Sequence, residues 1–181
     1  MGSLESATRL PRPPTDVEDN LGSDQFRNIM GSFPSGITVV TTLGPGAVPR
    51  GATVTAFASI SLQPPVLMVS LAAGSRTLGA IRRHGAFAVH VLDSSGAAVS
   101  QHFAAPASGF DGITWEPSGL ARGVPVLSRH TVAHAECLLH DIHTVGDHQL
   151  VLGLAVGGRA SEDTPLVYHR RTYTSITEEL V

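Results

Sequence analysis

The sequence predicts a mainly β protein folded as a closed antiparallel barrel with short capping helices. Three observations point there. Six or seven segments carry the β-branched, alternating chemistry of strands, only two or three short stretches keep helical spacing, and no segment repeats another. Helices so few cannot cover both faces of a parallel sheet, whereas an antiparallel sheet closed on itself needs no such cover. At 181 residues with 42% hydrophobic, the chain supports one core and one compact domain over residues 23–181. Residues 1–22, "MGSLESATRLPRPPTDVEDNLG", lack the basic segment and apolar run of a secretory leader and read as a disordered tail.

In chain order, Ser23 is placed to cap a first helix that Pro34 and Gly36 stop; its Phe26, Ile29, Met30 and Phe33 fall on one face, which is expected to cover a core. Two strands follow, "ITVVTTL" and "ATVTAFASIS", joined by the Gly/Pro hairpin loop "GPGAVPRG". A third strand, "VLMVSLA", comes after Pro64-Pro65, then a short helix from Thr77 to about His84 closed by Gly85, then the strand "AFAVHVL". A second capping helix is expected from Ala97 to Phe103 behind Ser95, followed by a long Gly/Pro-punctuated loop through "FDGITWEPSGLARGVPVL". Loops of this length usually serve a purpose. The last third supplies two longer strands, "TVAHAECLLHDIHTV" and "HQLVLGLAVGG", around the Gly146-Asp147 turn, and a final extended piece, "PLVYHRRTYTSI".

Composition excludes several classes. Twelve Lys and Arg against fifteen Asp and Glu give a net charge of −3, and no basic run gathers the charge that phosphate-backbone contact needs, so nucleic acid is not an expected partner. The apolar run from Val66 to Ala73 falls well short of the ~20 residues a bilayer demands, so no membrane association is expected. A single cysteine, Cys137, permits no intrachain disulfide and suits a reducing cytoplasm, and the Arg-rich, Lys-poor composition suits a GC-rich bacterial genome. Gly44, Gly46 and Gly51 have the wrong spacing for a Rossmann fingerprint and lead into a strand, not a helix. In "HAECLLHDIH", a period of two sends His134 and His140 to one face and Cys137 and His143 to the other, so no metal site is expected.

Two segments carry binding chemistry. On a strand through "GATVTAFASISLQPP", Thr53, Thr55, Ser59 and Ser61 share one face, and small residues with hydroxyls let a flat heterocycle approach the backbone; an edge strand with a wet face is the alternative. In "GSRTL", Ser75, Arg76 and Thr77 open a helix, where free amides, the helix dipole and a guanidinium outline a phosphate cradle; the same residues read equally as a helix cap beside a solvated arginine.

With "FRNIMGSFPSGITVVTT", "GDH" and "PLVYHRRTY", these segments resemble, in order and over nearly everything after the tail, the flavin reductase family with the FMN-binding split-barrel fold, NAD(P)H:flavin oxidoreductases serving two-component monooxygenases. The resemblance implies that Thr53, Val54, Thr55, Ala56 and Phe57, with Ser59 and Ile60, line the isoalloxazine and ribityl chain, and that Ser75, Arg76, Thr77 and Leu78 hold the phosphate end. His102 and Phe103 match a position beside the flavin, although a helix-capping aromatic reads the same way. His148 of the Gly-Asp-His turn and Tyr173 match positions that meet the nicotinamide nucleotide. Many relatives carry a lysine around residues 74–76, where Arg76 is the only cation here.

The resemblance further implies FAD or FMN as the flavin, NADH or NADPH as reductant with NADH favoured, a homodimer with the flavin near its interface, and a separate flavin-dependent monooxygenase as partner. A hydride passes between the two cofactors, so no protein nucleophile or general base is required. His148, at the barrel mouth, is expected to donate a hydrogen bond to a carboxamide or phosphate in either charge state. A passive flavin carrier on the same barrel is the alternative; it would need nothing at the nicotinamide position. A pyridoxamine phosphate oxidase relative would share the barrel but not this order of motifs.

Overall fold

A computed structural model describes residues 21–106 and 108–176. The tail expected over residues 1–22 lies outside the described residues except for Leu21 and Gly22. Helix α1 (Ser23–Gly31) leads into β1 (Ser35–Gly36), β2 (Thr38–Leu43), β3 (Pro49–Val54), β4 (Phe57–Leu62) and β5 (Pro65–Ala72). Helix α2 (Arg76–His84), β6 (Ala86–Leu92) and α3 (Ala97–Ala104) follow. The chain continues with β7 (Trp115–Pro117), β8 (Pro125–Leu127), β9 (Thr131–Val145), β10 (His148–Ala160), β11 (Leu166–His169) and β12 (Thr172–Ser175).

Seven strands form one antiparallel sheet in the order β3-β2-β6-β9-β10-β5-β4. Its two edge strands, β3 and β4, are separated in sequence only by Thr55 and Ala56. The sheet must therefore curl until its edges meet at this two-residue link, and the edges meet there without pairing along their length. This is a split barrel. It also corrects the sequence reading of "ATVTAFASIS" as one strand. Val39 pairs with Thr53 on one side of the link and Phe57 with Val69 on the other, so Thr53 and Ser59 belong to opposite sheet edges.

Alternate residues feed two cores. Val40, Val54, Val69, Phe87 and Val151 pack together with Leu78 and Ile81 of α2, while Val39, Leu92, Phe103, Leu127 and Leu166 pack on the other face against α3 and the C-terminal strands. The period of two in β2 and β6 dictates this division. α2 ends where its sequence promised and begins one residue earlier than expected, at Arg76: Ser75 caps it, with Oγ accepting from the Leu78 amide, and Gly85 ends it in the left-handed conformation.

Five further expectations are corrected. α1 begins after Gly22 with no side-chain cap, so Ser23 is its first helical residue, and its apolar face covers no core: Phe26, Ile29 and Met30 are more than half exposed and Phe33 is 71% exposed. Gly96, not Ser95, holds the N-cap of α3, because the Ser95 hydroxyl donates to Asp93 Oδ1 (2.6 Å). The long loop contains the β7–β8 hairpin, whose neighbours Ala121 and Val124 pack on Ala86 and Ala88. "PLVYHRRTYTSI" is a hairpin that turns at Arg170 and Arg171, and β11 also pairs with β1.

Candidate functional site

The antiparallel pairing of β2 with β3 brings Arg50, Gly51 and Ala52 beside the start of α2, and the Thr77 hydroxyl fastens the two by donating to the Gly51 carbonyl (3.0 Å). The end of α3 closes the third side. These walls enclose a cavity of about 470 Å³ lined by Arg50, Gly51, Ser75, Arg76, Thr77 and Phe103 among others. Ser75 and Thr77 spend their hydroxyls on the helix cap and on β3, so the groups left to meet an anion are the amides of Arg76 and Thr77, which have no intrahelical acceptor, and the guanidiniums. Gly51 is required by close packing: a Cβ there would lie 2.5 Å from Phe103 Cε1. Leu78 is buried in the barrel and its amide donates to Ser75 Oγ, so it offers the cavity no free group.

A second cavity, about 300 Å³, is lined by Thr55, Ala56 and Phe57 at the barrel seam, with Met30 of α1, Phe33 just after it, Ser35 and Met68. The structure thus divides the expected flavin wall. Thr53 and Val54 lie between the cavities, but Val54 is buried and the Thr53 hydroxyl donates to the Ser100 carbonyl (2.6 Å), so neither offers a free polar group. Ser59 and Ile60 sit on edge strand β4, exposed and outside both cavities. His102 is turned away as well; its Nε2 donates to the Gly109 carbonyl (2.9 Å), and its ring meets Phe103 edge-on at 5.0 Å.

The Gly-Asp-His turn is tied to the cradle by its backbone, because the Ala73 amide donates to the Asp147 carbonyl (2.9 Å) and His148 pairs with Ala72. His148 Nδ1 donates to Asp147 Oδ1 (2.7 Å), and this bond holds the Asp147 carboxyl below the usual carboxylate range. With Nδ1 committed, the neutral ring presents Nε2 as an acceptor and donates through it only when protonated, which narrows the expected donor role. Tyr173 is held elsewhere: its hydroxyl shares a hydrogen bond with Ser100 Oγ (3.1 Å), and its ring lies 5.5 Å from Tyr168. Ser100, buried on α3, therefore joins β3 to β12, a link no local motif announces.

Two further titratable groups, His90 and Cys137, belong to the core. His90 Nδ1 donates to the Val39 carbonyl and its Nε2 accepts from the Leu127 amide, both at 3.0 Å, so the ring is held neutral, and burial lowers its pKa to about 4. Burial likewise pushes the Cys137 thiol up to about 12, far from a reactive thiolate. His134 faces Glu136 at 3.6 Å and His143 faces Asp141 at 3.2 Å.

Residues 30–177 match the flavin reductase like domain. The chain belongs to the flavin reductase family. A flavin reductase (NADH) of Kitasatospora aureofaciens is 46% identical over 164 residues, covering 88% of this chain and 85% of that protein. The reductase subunit HsaB of a flavin-dependent monooxygenase from Rhodococcus jostii is 35% identical, covering 84% and 77%. Among solved structures, the NADH:FAD oxidoreductase SgcE6 of Streptomyces globisporus, in complex with NAD and FAD fragments, superposes with a TM-score of 0.80 at 28% identity, covering 86% of this chain and 93% of that one. The flavin reductase fold is thus the split barrel described above, and the two cavities lie where its edges meet and where α2 begins.

Proposed function

We propose that this flavin reductase uses NADH or NADPH to reduce FAD or FMN, which then leaves to serve a separate flavin-dependent monooxygenase. One observation carries the reading: a chain of this family has an anion cradle at the start of α2 and the Gly-Asp-His turn fastened beside it. Relatives named as NADH and NADPH flavin reductases and as monooxygenase reductase subunits support both the activity and the partner, and NADH is the first reductant to test. A reducing cytoplasm suits a chain whose single cysteine is buried, and no helix among the described residues is long and apolar enough to cross a membrane.

The donor set fits the flavin. Arg76 and the first-turn amides of α2 match a phosphate, and Phe103, held against Gly51, supplies a flat apolar wall beside it. Thr55 to Phe57, at the seam, offer exposed backbone and an aromatic edge to the isoalloxazine. When bound, the two cofactors supply the redox chemistry, a hydride passing from the pyridine nucleotide to the flavin. What the chain contributes is position: His148 Nε2 accepts from a carboxamide N–H, and Asp147 fixes that tautomer.

We further infer a homodimer. The stripe of Phe26, Ile29, Met30 and Phe33 is exposed in one chain and continues into the seam cavity, so a second copy covering it would complete the ring-binding half of the site. The deciding experiment is the loss of NADH and NADPH absorbance at 340 nm with and without added FAD, FMN or riboflavin. Oxidation that requires flavin and saturates in both substrates is expected. Flavin binding without oxidation of either nucleotide would leave a passive carrier instead.

A further inference from the structure

We propose that Arg50 gives this cradle its preference for the diphosphate of FAD over the monophosphate of FMN. The inference rests on reading the cavity at the start of α2 as the flavin-phosphate site. The sequence presents Arg76 as the only cation near that site, but β3 delivers a second. Arg50 lies well before Arg76 in the chain, and the Thr77 to Gly51 bond draws α2 onto the residue next to it, so both guanidiniums line one cavity.

Neither guanidinium has a partner. Among the described residues, no hydrogen bond or ion pair engages Arg50 or Arg76, and what sets them apart from the other unpaired arginines is that both line one cavity with no acidic lining residue. Arg50 is also half-buried, and its stem passes close to Gly44, where a Cβ would lie 3.3 Å from Arg50 Cγ. An unpaired guanidinium on the wall of a cavity with no acidic lining residue is matched by an anion.

The charge pattern selects which anion. A single phosphate monoester is satisfied by the first-turn amides of α2 with Arg76. The diphosphate of FAD carries charge on each of two adjacent phosphates, and a second planar fork on the β3 wall matches the one nearer the adenosine. The opposite wall needs this offset, because α3 ends there at Ala104 and Ala105, and a helix C-terminus disfavours an anion.

The test compares Arg50→Met, which keeps the stem and removes the charge, with Arg76→Met in the full chain. Kd or KM for FAD, FMN and riboflavin would be measured for each, with circular dichroism to verify folding and Arg50→Gln as a second variant. For Arg50→Met, the ratio of the FAD constant to the FMN constant should rise about tenfold or more, as the loss of a charge-assisted hydrogen bond implies. Arg76→Met should weaken FAD and FMN together relative to riboflavin. An equal loss for FAD and FMN in both Arg50 variants, or none for either, would overturn the role of Arg50 while Arg76→Met still upheld the site. If neither arginine discriminates phosphorylated flavins from riboflavin, the reading of the cavity itself falls.

Discussion

Helices α1 and α2 are both nine residues long and both amphipathic, yet one is finished by its own chain and the other is not. α2 has a Ser75 cap and a Gly85 stop, and it buries Leu78, Ala80 and Ile81. α1 has no side-chain cap and buries nothing. The cavities beside them differ in the same way. The α2 cavity is walled by β3, α2 and α3 of one chain, whereas the α1 cavity is bordered by exposed Met30, Phe33 and Phe57. An apolar stripe at helical spacing states that a surface must be covered, not what covers it.

The contrast breaks most completely if the α1 stripe is charged. Ile29→Asp combined with Phe33→Asp should convert a dimeric mass in light scattering to a monomeric one while the far-ultraviolet spectrum is kept; a retained dimer would place the interface elsewhere. Truncation of each stripe to alanine sharpens the comparison. Ile81→Ala should cost about 2–5 kcal/mol in urea unfolding at every protein concentration, whereas the loss from Ile29→Ala should depend on concentration, because it acts through association. Concentration-independent losses in both would mean that α1 is packed within its own chain.

Acid should act on the core side of this comparison. His90 follows α2 on β6, and burial lowers its pKa from 6.5 to about 4. The unfolded chain takes up a proton there that the folded chain refuses, so this contribution is complete above pH ~6.5 and is lost as the pH falls through 6.5 towards 4. Between pH 7.5 and pH 5 the unfolding free energy should drop by about 2 kcal/mol on this account. His90→Gln should flatten that slope even where its baseline stability is lower, and an unchanged slope would assign the acid sensitivity to another group. The smallest effect separates the two helix starts. Ser75→Ala should cost about 1 kcal/mol by losing the cap, and Ser23→Ala under about 0.5 kcal/mol; equal shifts in Tm would contradict the capping difference.

Much of the barrel was legible where local chemistry decides. "AFAVHVL" and "TVAHAECLLHDIHTV" became β6 and β9 residue for residue, since alternation and flanking turns mark both ends. Ser75 and Gly85 bounded α2 for the same reason. The break between β3 and β4 was not legible, because Thr55 and Ala56 carry no glycine or proline and their neighbours are as β-prone as the strands themselves. The β11–β12 turn was hidden similarly, since Arg170 and Arg171 take left-handed conformations usually left to Gly or Asn. In the site, the Ser75 to Leu78 stretch was readable as a helix start with spare amides, but the committed hydroxyls of Thr53 and Thr77 and the presence of Arg50 depend on partners far away in sequence.

By itself, the sequence determined a mainly β chain with short helices, the capped start of α2, and the order of motifs that marks the family, because each of these is written in residue type and short-range spacing. Only the tertiary structure decided where the sheet splits, which two arginines share a cavity, which nitrogen His148 presents and which helix is left uncovered. Those outcomes follow from closing the sheet, which sets long-range register and leaves some surfaces buried and others bare.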